Sequence, residues 1–245
     1  MPQPTRPVAP SRTIVSYVRR SPRMNDSQRQ ALTRLSDEYI VEVPRGELST
    51  SVAPGTTVEW RERFGREAPL VVEIGSGTGD SLVAMAAARP AMNVVAFEVY
   101  ERAVASSLLK LADARVHNVR LVVADGVQGL EQLVSVGTLA ELWTFFPDPW
   151  HKTRHHKRRL VSPAFAALVA TRLVPGGLWR LATDWPDYAE WMREVLDAEP
   201  ALENAHADAP GGRAPRPPDR PVTRFEARGL AARRPVVDLL YRRMP

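Results

Sequence analysis

The 245-residue sequence predicts an α/β fold, a doubly wound and mostly parallel sheet. Three observations predict it. Residues 70–87 read as strand, glycine turn and helix: Leu70 to Ile74 is apolar and β-branched, Gly75, Gly77 and Gly79 follow, and Leu82, Val83, Met85, Ala86 and Ala87 recur at helical spacing. That unit opens nucleotide-binding sheets, whose ligand lies at the carboxyl ends of the strands. Further down, short apolar runs alternate with amphipathic helical segments, as crossover-connected strands require. The length suits one substantial core.

The glycine spacing narrows the ligand. A dinucleotide site reads G-x-G-x-x-G and places a pyrophosphate on a helix N-terminus. Here the third glycine comes one residue early, and Glu73 sits just before the first. An acid at that point suits a ligand without phosphate. S-adenosyl-L-methionine fits, because its sulfonium and ammonium favour acids and its carboxylate can take backbone N–H groups. The plainer alternative is a turn that only joins strand to helix.

Composition sets further limits. There is no cysteine, which excludes disulfides, thiolate zinc sites and cysteine nucleophiles. No apolar run approaches the ~18 residues of a membrane span and no signal peptide is visible, so a cytoplasmic protein is expected. The net charge of +5 is unevenly placed. Residues 1–30 carry +5, residues 150–160 carry +5 and residues 211–245 carry +6, which leaves the remainder at −11. Three basic patches on an acidic body point to a polyanionic partner.

Residues 1–35 read as a basic, partly disordered arm, with a proline-rich tail over 1–11 and Arg12, Arg19, Arg20 and Arg23 around Ile14, Val15, Tyr17 and Val18. It is either a solvated arm or one that contacts phosphates. Residues 36–68 lead into the domain, which spans 36–245, with turns at Pro44-Arg45-Gly46 and Pro54-Gly55. The second strand runs from Asn93 to Val99. Glu98 lies 23 residues past the first glycine, where an acid accepts from ribose hydroxyls. Tyr100 to Ala114 is an amphipathic helix. The third strand, Val119 to Ala124, leads to Asp125-Gly126, near where an adenine would lie, and a helix follows over Val127 to Val134.

The fourth strand, Leu139 to Phe146, stops at Pro147. Pro147 and Pro149 fix the backbone on either side of Asp148 at the tip of the sheet. Of the next nine residues after Trp150, eight are Lys, Arg or His. A basic run beside a presumed cofactor cleft, interleaved with a tryptophan, points to nucleic acid. His151, His155 and His156 have no acid or cysteine among them, so no metal site is expected.

Phe165 to Leu173 is a helix ended by Val174-Pro175-Gly176-Gly177. The fifth strand runs from Leu178 to Thr183 and ends at Asp184, and Tyr188 to Leu196 is helical. Residues 208–221 hold five prolines and two glycines and read as a loop. Val236 to Tyr241 is a last apolar strand, the sixth that the pattern reveals.

In this order, Glu73-Ile-Gly-Ser-Gly-Thr-Gly79, Phe97-Glu98, Asp125-Gly126, Phe146-Pro-Asp-Pro-Trp-His-Lys152, His156-Lys-Arg-Arg159, Thr183-Asp184 and Thr223-Arg-Phe-Glu226 resemble the bacterial tRNA (guanine-N7-)-methyltransferases. The resemblance spans roughly residues 12–243; its Phe-Pro-Asp-Pro-Trp and Thr-x-Phe-Glu segments are specific, the glycine loop alone is not. It implies a Rossmann-like class I methyltransferase fold with a seven-stranded sheet. It also implies methyl transfer from S-adenosyl-L-methionine to N7 of a variable-loop guanine in tRNA. Glu73, Gly75, Gly77, Gly79, Glu98, Asp125 and Asp148 would line the cofactor site, with Asp148 the catalytic position. Lys152, Asp184, Thr223, Arg224, Phe225 and Glu226 would touch the substrate, and Arg154, His155, His156, Lys157, Arg158 and Arg159 the RNA. Arg224 stands where lysine is usual in the family. It further implies tRNA as the partner; no membrane or metal is expected, and a monomer or homodimer is expected.

Chemistry adds its own expectations. Guanine N7 is an unprotonated acceptor, so its methylation needs alignment rather than a general base. Asp148 and Asp184, helped by Glu226, would orient the base through its N–H donors. A flipped-out guanine could stack on Trp150 or Trp185. Two other readings stay open: a methyltransferase of this fold acting on another RNA base, and a non-catalytic RNA-binding protein.

Overall fold

The structure is a computed structural model that describes residues 16–17 and 23–245. The tail at 1–11 and Arg12, Ile14, Val15, Val18, Arg19 and Arg20 lie outside the described residues. One seven-stranded sheet forms the centre, with strand order β3-β2-β1-β4-β5-β7-β6. The strands are β1 (Leu70–Ile74), β2 (Asn93–Phe97), β3 (Val119–Val122), β4 (Leu139–Phe145), β5 (Leu173–Thr183), β6 (Leu202–Asn204) and β7 (Val237–Arg243). β1 to β5 pair in parallel; β7 runs antiparallel to both β5 and β6. The chain order reverses at β1 and β4, where doubly wound folds open a ligand crevice.

The helices are α1 (Asp26–Tyr39), α2 (Trp60–Phe64), α3 (Asp80–Ala88), α4 (Glu101–Asp113), α5 (Gly126–Leu133), α6 (Pro163–Arg172), α7 (Pro186–Asp197) and α8 (Arg224–Ala231). Buried residues of α1, α3 and α4 pack on one face with Val71, Val94, Leu121 and Trp143. Those of α5, α6 and α7 pack on the other with Val72, Val95, Leu142 and Trp179. The strands are therefore apolar on both faces and read as continuous hydrophobic runs.

Several elements go beyond the expected pattern, the helices α2 and α8 among them. α1 runs through the expected arm–domain boundary at 35/36. Its N-cap Asn25 accepts from the Gln28 N–H at 2.8 Å while Gln28 Oε1 accepts from the Asn25 N–H, a capping box. Gln28 also donates to the Ser106 hydroxyl at 2.9 Å, which ties α1 to α4. β6 supplies the seventh strand from only three residues. β5 starts five residues early: Leu139 pairs with Leu173 and Glu141 with Leu178, so Pro175-Gly176-Gly177 is a bulge inside the strand rather than a break before it.

The proline-rich loop packs against the sheet. It contains a 3₁₀ turn at Pro210–Gly212 and a bridge from Ala214 to Asp238 of β7, and its Gly212, Pro217 and Arg220 are buried. Asp219 pairs with Arg89 at 2.8 Å, and the Arg89 guanidinium lies 5.1 Å from the Trp143 ring centroid. The loop thus lies on the face that holds Trp143.

Candidate functional site

The carboxyl ends of four neighbouring parallel strands, β3, β2, β1 and β4, lie side by side along one edge of the sheet. At the end of β1, Glu73 is 2 % exposed and its Oε2 is buried without a hydrogen-bond partner. Burial, and then the neighbouring Glu98 carboxylate, push its pKa up to about 8. A buried acid left short of partners is matched by a cationic ligand. The next residues form the glycine turn, with φ of 75°, 56° and 79° at Gly75, Gly77 and Gly79. A Cβ at Gly75 or Gly77 would meet nothing within 4 Å, so both face open space. At Gly79 a Cβ would stand 2.6 Å from the Ser107 hydroxyl, which fixes glycine there on steric as well as conformational grounds.

Just past β2, Glu98 is 5 % exposed. Its Oε2 accepts from the Gly77 N–H at 2.8 Å and its Oε1 from the Tyr100 N–H at 2.9 Å. Burial raises its pKa against the pull of these N–H donors, and the Asp148 charge adds to the rise. Each carboxylate oxygen keeps acceptor capacity for a hydroxyl pair. The three glycine N–H groups of the turn are taken up within the chain. Gly75 donates to the Phe97 carbonyl, Gly77 to Glu98 and Gly79 to the Ser76 carbonyl. Beside the turn, Lys110 donates to the Thr78 carbonyl and to Asp80, and so pins the loop to α4.

Asp125, beyond β3, is the N-cap of α5 and accepts from the Val127 and Gln128 N–H groups, both at 3.0 Å. Burial raises its pKa while those two donors oppose the rise. Its own N–H is held by the Thr50 carbonyl at 2.7 Å. The Tyr17 hydroxyl bonds to Thr50 Oγ1, and the Trp150 Nε1–H donates to the Ser16 carbonyl at 3.0 Å. Two residues of the arm therefore reach both Thr50, beside Asp125, and Trp150, in the loop after β4.

The loop after β4 is strained and braced. Phe146 and Trp150 bracket Pro-Asp-Pro and both take left-handed backbones, with φ of 51° and 48°. For non-glycine residues this costs about 1–2 kcal/mol each, so the surroundings must hold it. Arg159 does so from one side: its Nε donates to the Pro149 carbonyl at 3.1 Å, its Nη2 pairs with Asp187, and its guanidinium lies 4.9 Å from the Tyr188 ring centroid. Arg159 is 4 % exposed. Grouped with the RNA contacts on sequence, it is instead an internal brace, because Pro149, His156 and Asp187 take its donors. Asp148 itself is exposed at the tip, within electrostatic reach of Glu98 and Tyr188.

The basic run forms a 3₁₀ turn over Thr153–Arg158. Lys152, Arg154 and Lys157 are exposed, while His155, His156 and Arg158 are half-buried. The Arg158 guanidinium lies 4.2 Å from the Trp150 ring centroid, and the His155 ring meets Trp150 edge-on. Slight desolvation and the cations Arg154, Arg158, Lys152 and Lys157 hold the His155 imidazole below its ordinary value. Trp185 is partly buried against the core and against His151, whose ring centroid is 4.0 Å away. Among the described residues no group of three or more His, Cys, Asp or Glu could hold a metal ion.

The Thr-x-Phe-Glu segment starts α8. Thr223 is its N-cap and accepts from the Glu226 N–H at 3.2 Å. Arg224 and Phe225 are exposed, and Arg224 lies close enough to Asp80 to lower that acid's pKa, which the Lys110 and Thr78 contacts hold down more strongly against burial. Glu226 departs from the expected role beside the base. It is 1 % exposed, and Arg216 and Arg220 take its carboxylate. Asp184 is paired with Arg234 at 2.7 Å and packs against Gly229 of α8. Arg216 and Arg220 escaped the sequence reading; the one local sign was an arginine pair inside a proline-rich loop.

The residues present fit S-adenosyl-L-methionine: an under-partnered acid at β1, an acceptor pair at β2, and open space beside Gly75 and Gly77. A family model described as "Putative methyltransferase" matches residues 67–239. A tRNA (guanine-N(7)-)-methyltransferase of Cutibacterium acnes is 55 % identical over 233 residues, which is 95 % of this chain and 84 % of that protein. One of the same name from a Nocardioides species is 50 % identical over 95 % of this chain and 88 % of that protein. Among solved structures, the 16S rRNA methyltransferase KamB superposes with a TM-score of 0.55 at 19 % identity, over 82 % of this chain and 100 % of that one. The aminoglycoside resistance methyltransferase NpmB1 does so at 0.51 and 16 %, over 82 % and 98 %. At that identity the two share the fold.

Proposed function

The chain belongs to the tRNA (guanine-N(7)-)-methyltransferase family and methylates guanine N7 in tRNA from S-adenosyl-L-methionine; we propose that the guanine lies in the variable loop and that Asp148 is the residue that meets it. The observation that carries the reading is the row of strand-end acids Glu73, Glu98 and Asp125, with Asp148 exposed beside it on a braced loop.

When bound, the cofactor supplies a methyl carbon activated by a sulfonium. Glu73 would face its positive charge, Glu98 would accept from its ribose hydroxyls and Asp125 would stand toward its base. Guanine N7 already offers a lone pair, so the chain's task is alignment, and well-oriented reactants can gain about 7–11 kcal/mol. Asp148 accepts from the N1–H and N2–H₂ donors of the guanine and holds the base in line. Lys152, Arg154, Lys157 and Arg158 meet RNA phosphates, with the Trp150 ring held beneath Arg158. Thr223, Arg224 and Phe225 at the start of α8 meet the substrate on the other side, with Asp184 held behind them by Arg234. We infer a cytoplasmic location from this activity, since tRNA and cofactor are available there; separately, no described helix is long and apolar enough to cross a membrane.

Tritium transfer from labelled cofactor to bulk tRNA distinguishes an enzyme from a silent RNA binder. Nuclease mapping of the labelled nucleotide then tests position. Label in the variable loop is the expected result; label on an exocyclic amine or in another loop would overturn the assignment.

A further inference from the structure

The buried arginine at the end of the proline-rich loop joins three parts of the site. The Arg220 side chain is fully buried. Its Nη1 donates to Glu226 of α8 at 3.1 Å, and its Nη2 donates to both carboxylate oxygens of Asp238 in β7 at 2.8 and 3.1 Å. Its guanidinium carbon lies 5.3 Å from the ring centroids of both Phe145 and Phe146. Phe146 is the left-handed residue that starts the Pro-Asp-Pro loop, and its N–H is held by the Ala182 carbonyl at 2.7 Å.

We propose that Arg220 is a positioning residue for methyl transfer, which locks α8 and its Thr223–Arg224 tip against the loop that presents Asp148. The proposal rests on the reading that Asp148 and the start of α8 meet the reactants. Full burial removes Arg220 itself from any contact with RNA. The role needs a planar cation: its guanidinium lies beside two rings while its two Nη groups reach two carboxylates. Lysine carries the charge but cannot satisfy both acids and both rings. Arg216 is a second donor to Glu226, so the acid is held on two sides. Arg159 braces the far end of the same loop through the Pro149 carbonyl, so the Asp148 tip is fixed at both ends. A strained loop persists only where its surroundings over-determine it.

The test compares Arg220→Lys, Phe146→Leu and the double variant in steady-state methylation of tRNA, with activity expressed per molecule that binds S-adenosyl-L-methionine. That normalisation removes any loss that comes only from unfolding. Arg220→Lys is expected to bind the cofactor with the parent's Kd and to keep the KM for tRNA. Its kcat is expected to fall about 10²-fold, the scale of a misplacement near 1 Å. Phe146→Leu, which leaves both carboxylate links intact, is expected to lower kcat as well. The double variant should lose no more than the worse single one, because the two act through one contact. An unchanged kcat per cofactor-binding molecule, or additive losses, would overturn the role. Should Arg220→Lys fail to bind cofactor, Phe146→Leu decides: a parental kcat in that variant rejects the proposal. A parent chain without guanine-N7 activity would count against the function itself, and a parent that works beside unaffected variants against Arg220 alone.

Discussion

Arg159 donates to the carbonyl of Pro149 at 3.1 Å, so the last arginine of a basic run points inward and holds the loop that carries Asp148. Its neighbours Arg154 and Lys157 are exposed. The two kinds of basic residue should separate in a salt titration. Arg154→Ala with Lys157→Ala is expected to reduce the slope of log K against log salt by about 0.7–0.9 per contact removed. Arg159→Met should leave the slope alone and lower kcat and thermal stability. A slope that falls with Arg159→Met would return it to the RNA surface.

Asp148 orients a base and takes no proton from it. Asp148→Ala should lose at least about 10² in kcat, as a positioning contact is removed. Asp148→Asn keeps one acceptor oxygen and should fall between parent and alanine. An asparagine variant with full activity would leave hydrogen bonding as the cause and remove the carboxylate charge.

Thr223 has a structural duty as well as a proposed substrate one. As N-cap of α8 it accepts from the Glu226 N–H. Thr223→Ala should cost about 1 kcal/mol of stability, read by denaturant unfolding, and Thr223→Ser close to nothing. A parental stability for Thr223→Ala would remove the cap from the account.

The strands were legible because β-branched runs bounded by Gly, Pro and acids mark buried parallel strands, and the strand-end acids came with them. β6 was not, since three edge residues with one buried leucine carry no period. α1 did carry a signal, the capping box of Asn25 and Gln28, but its many charges read as a solvated arm. α8 also carries a signal, its Thr-x-x-Glu start, which is a helix signature whatever those residues meet. Burial of Arg159, Arg220 and Glu226 was out of reach. Charged residues are buried only when distant partners meet them, and Asp187, Asp238 and Arg216 are brought in by tertiary folding.

The central claim is that a rim of strand-end acids, with Glu73 left short of partners, grips a cationic methyl donor. Glu73 makes it measurable. Its pKa is raised to about 8 by burial and by Glu98, so without ligand it is largely protonated at pH 7. A cation beside it favours the ionised form, so binding releases a proton and the Glu73 contribution to affinity falls as pH drops below about 8. The cofactor's own amino group titrates nearby, at roughly 8, so the informative quantity is the ratio of parent to Glu73→Gln affinity. Calorimetric titration of S-adenosyl-L-methionine into both proteins, across that range and in buffers of different ionisation enthalpy, tests this directly. The account predicts tight binding by the parent, proton release that Glu73→Gln lacks, and a ratio that shrinks toward acid pH. A folded parent that binds no cofactor, or a ratio that does not move with pH, would contradict it.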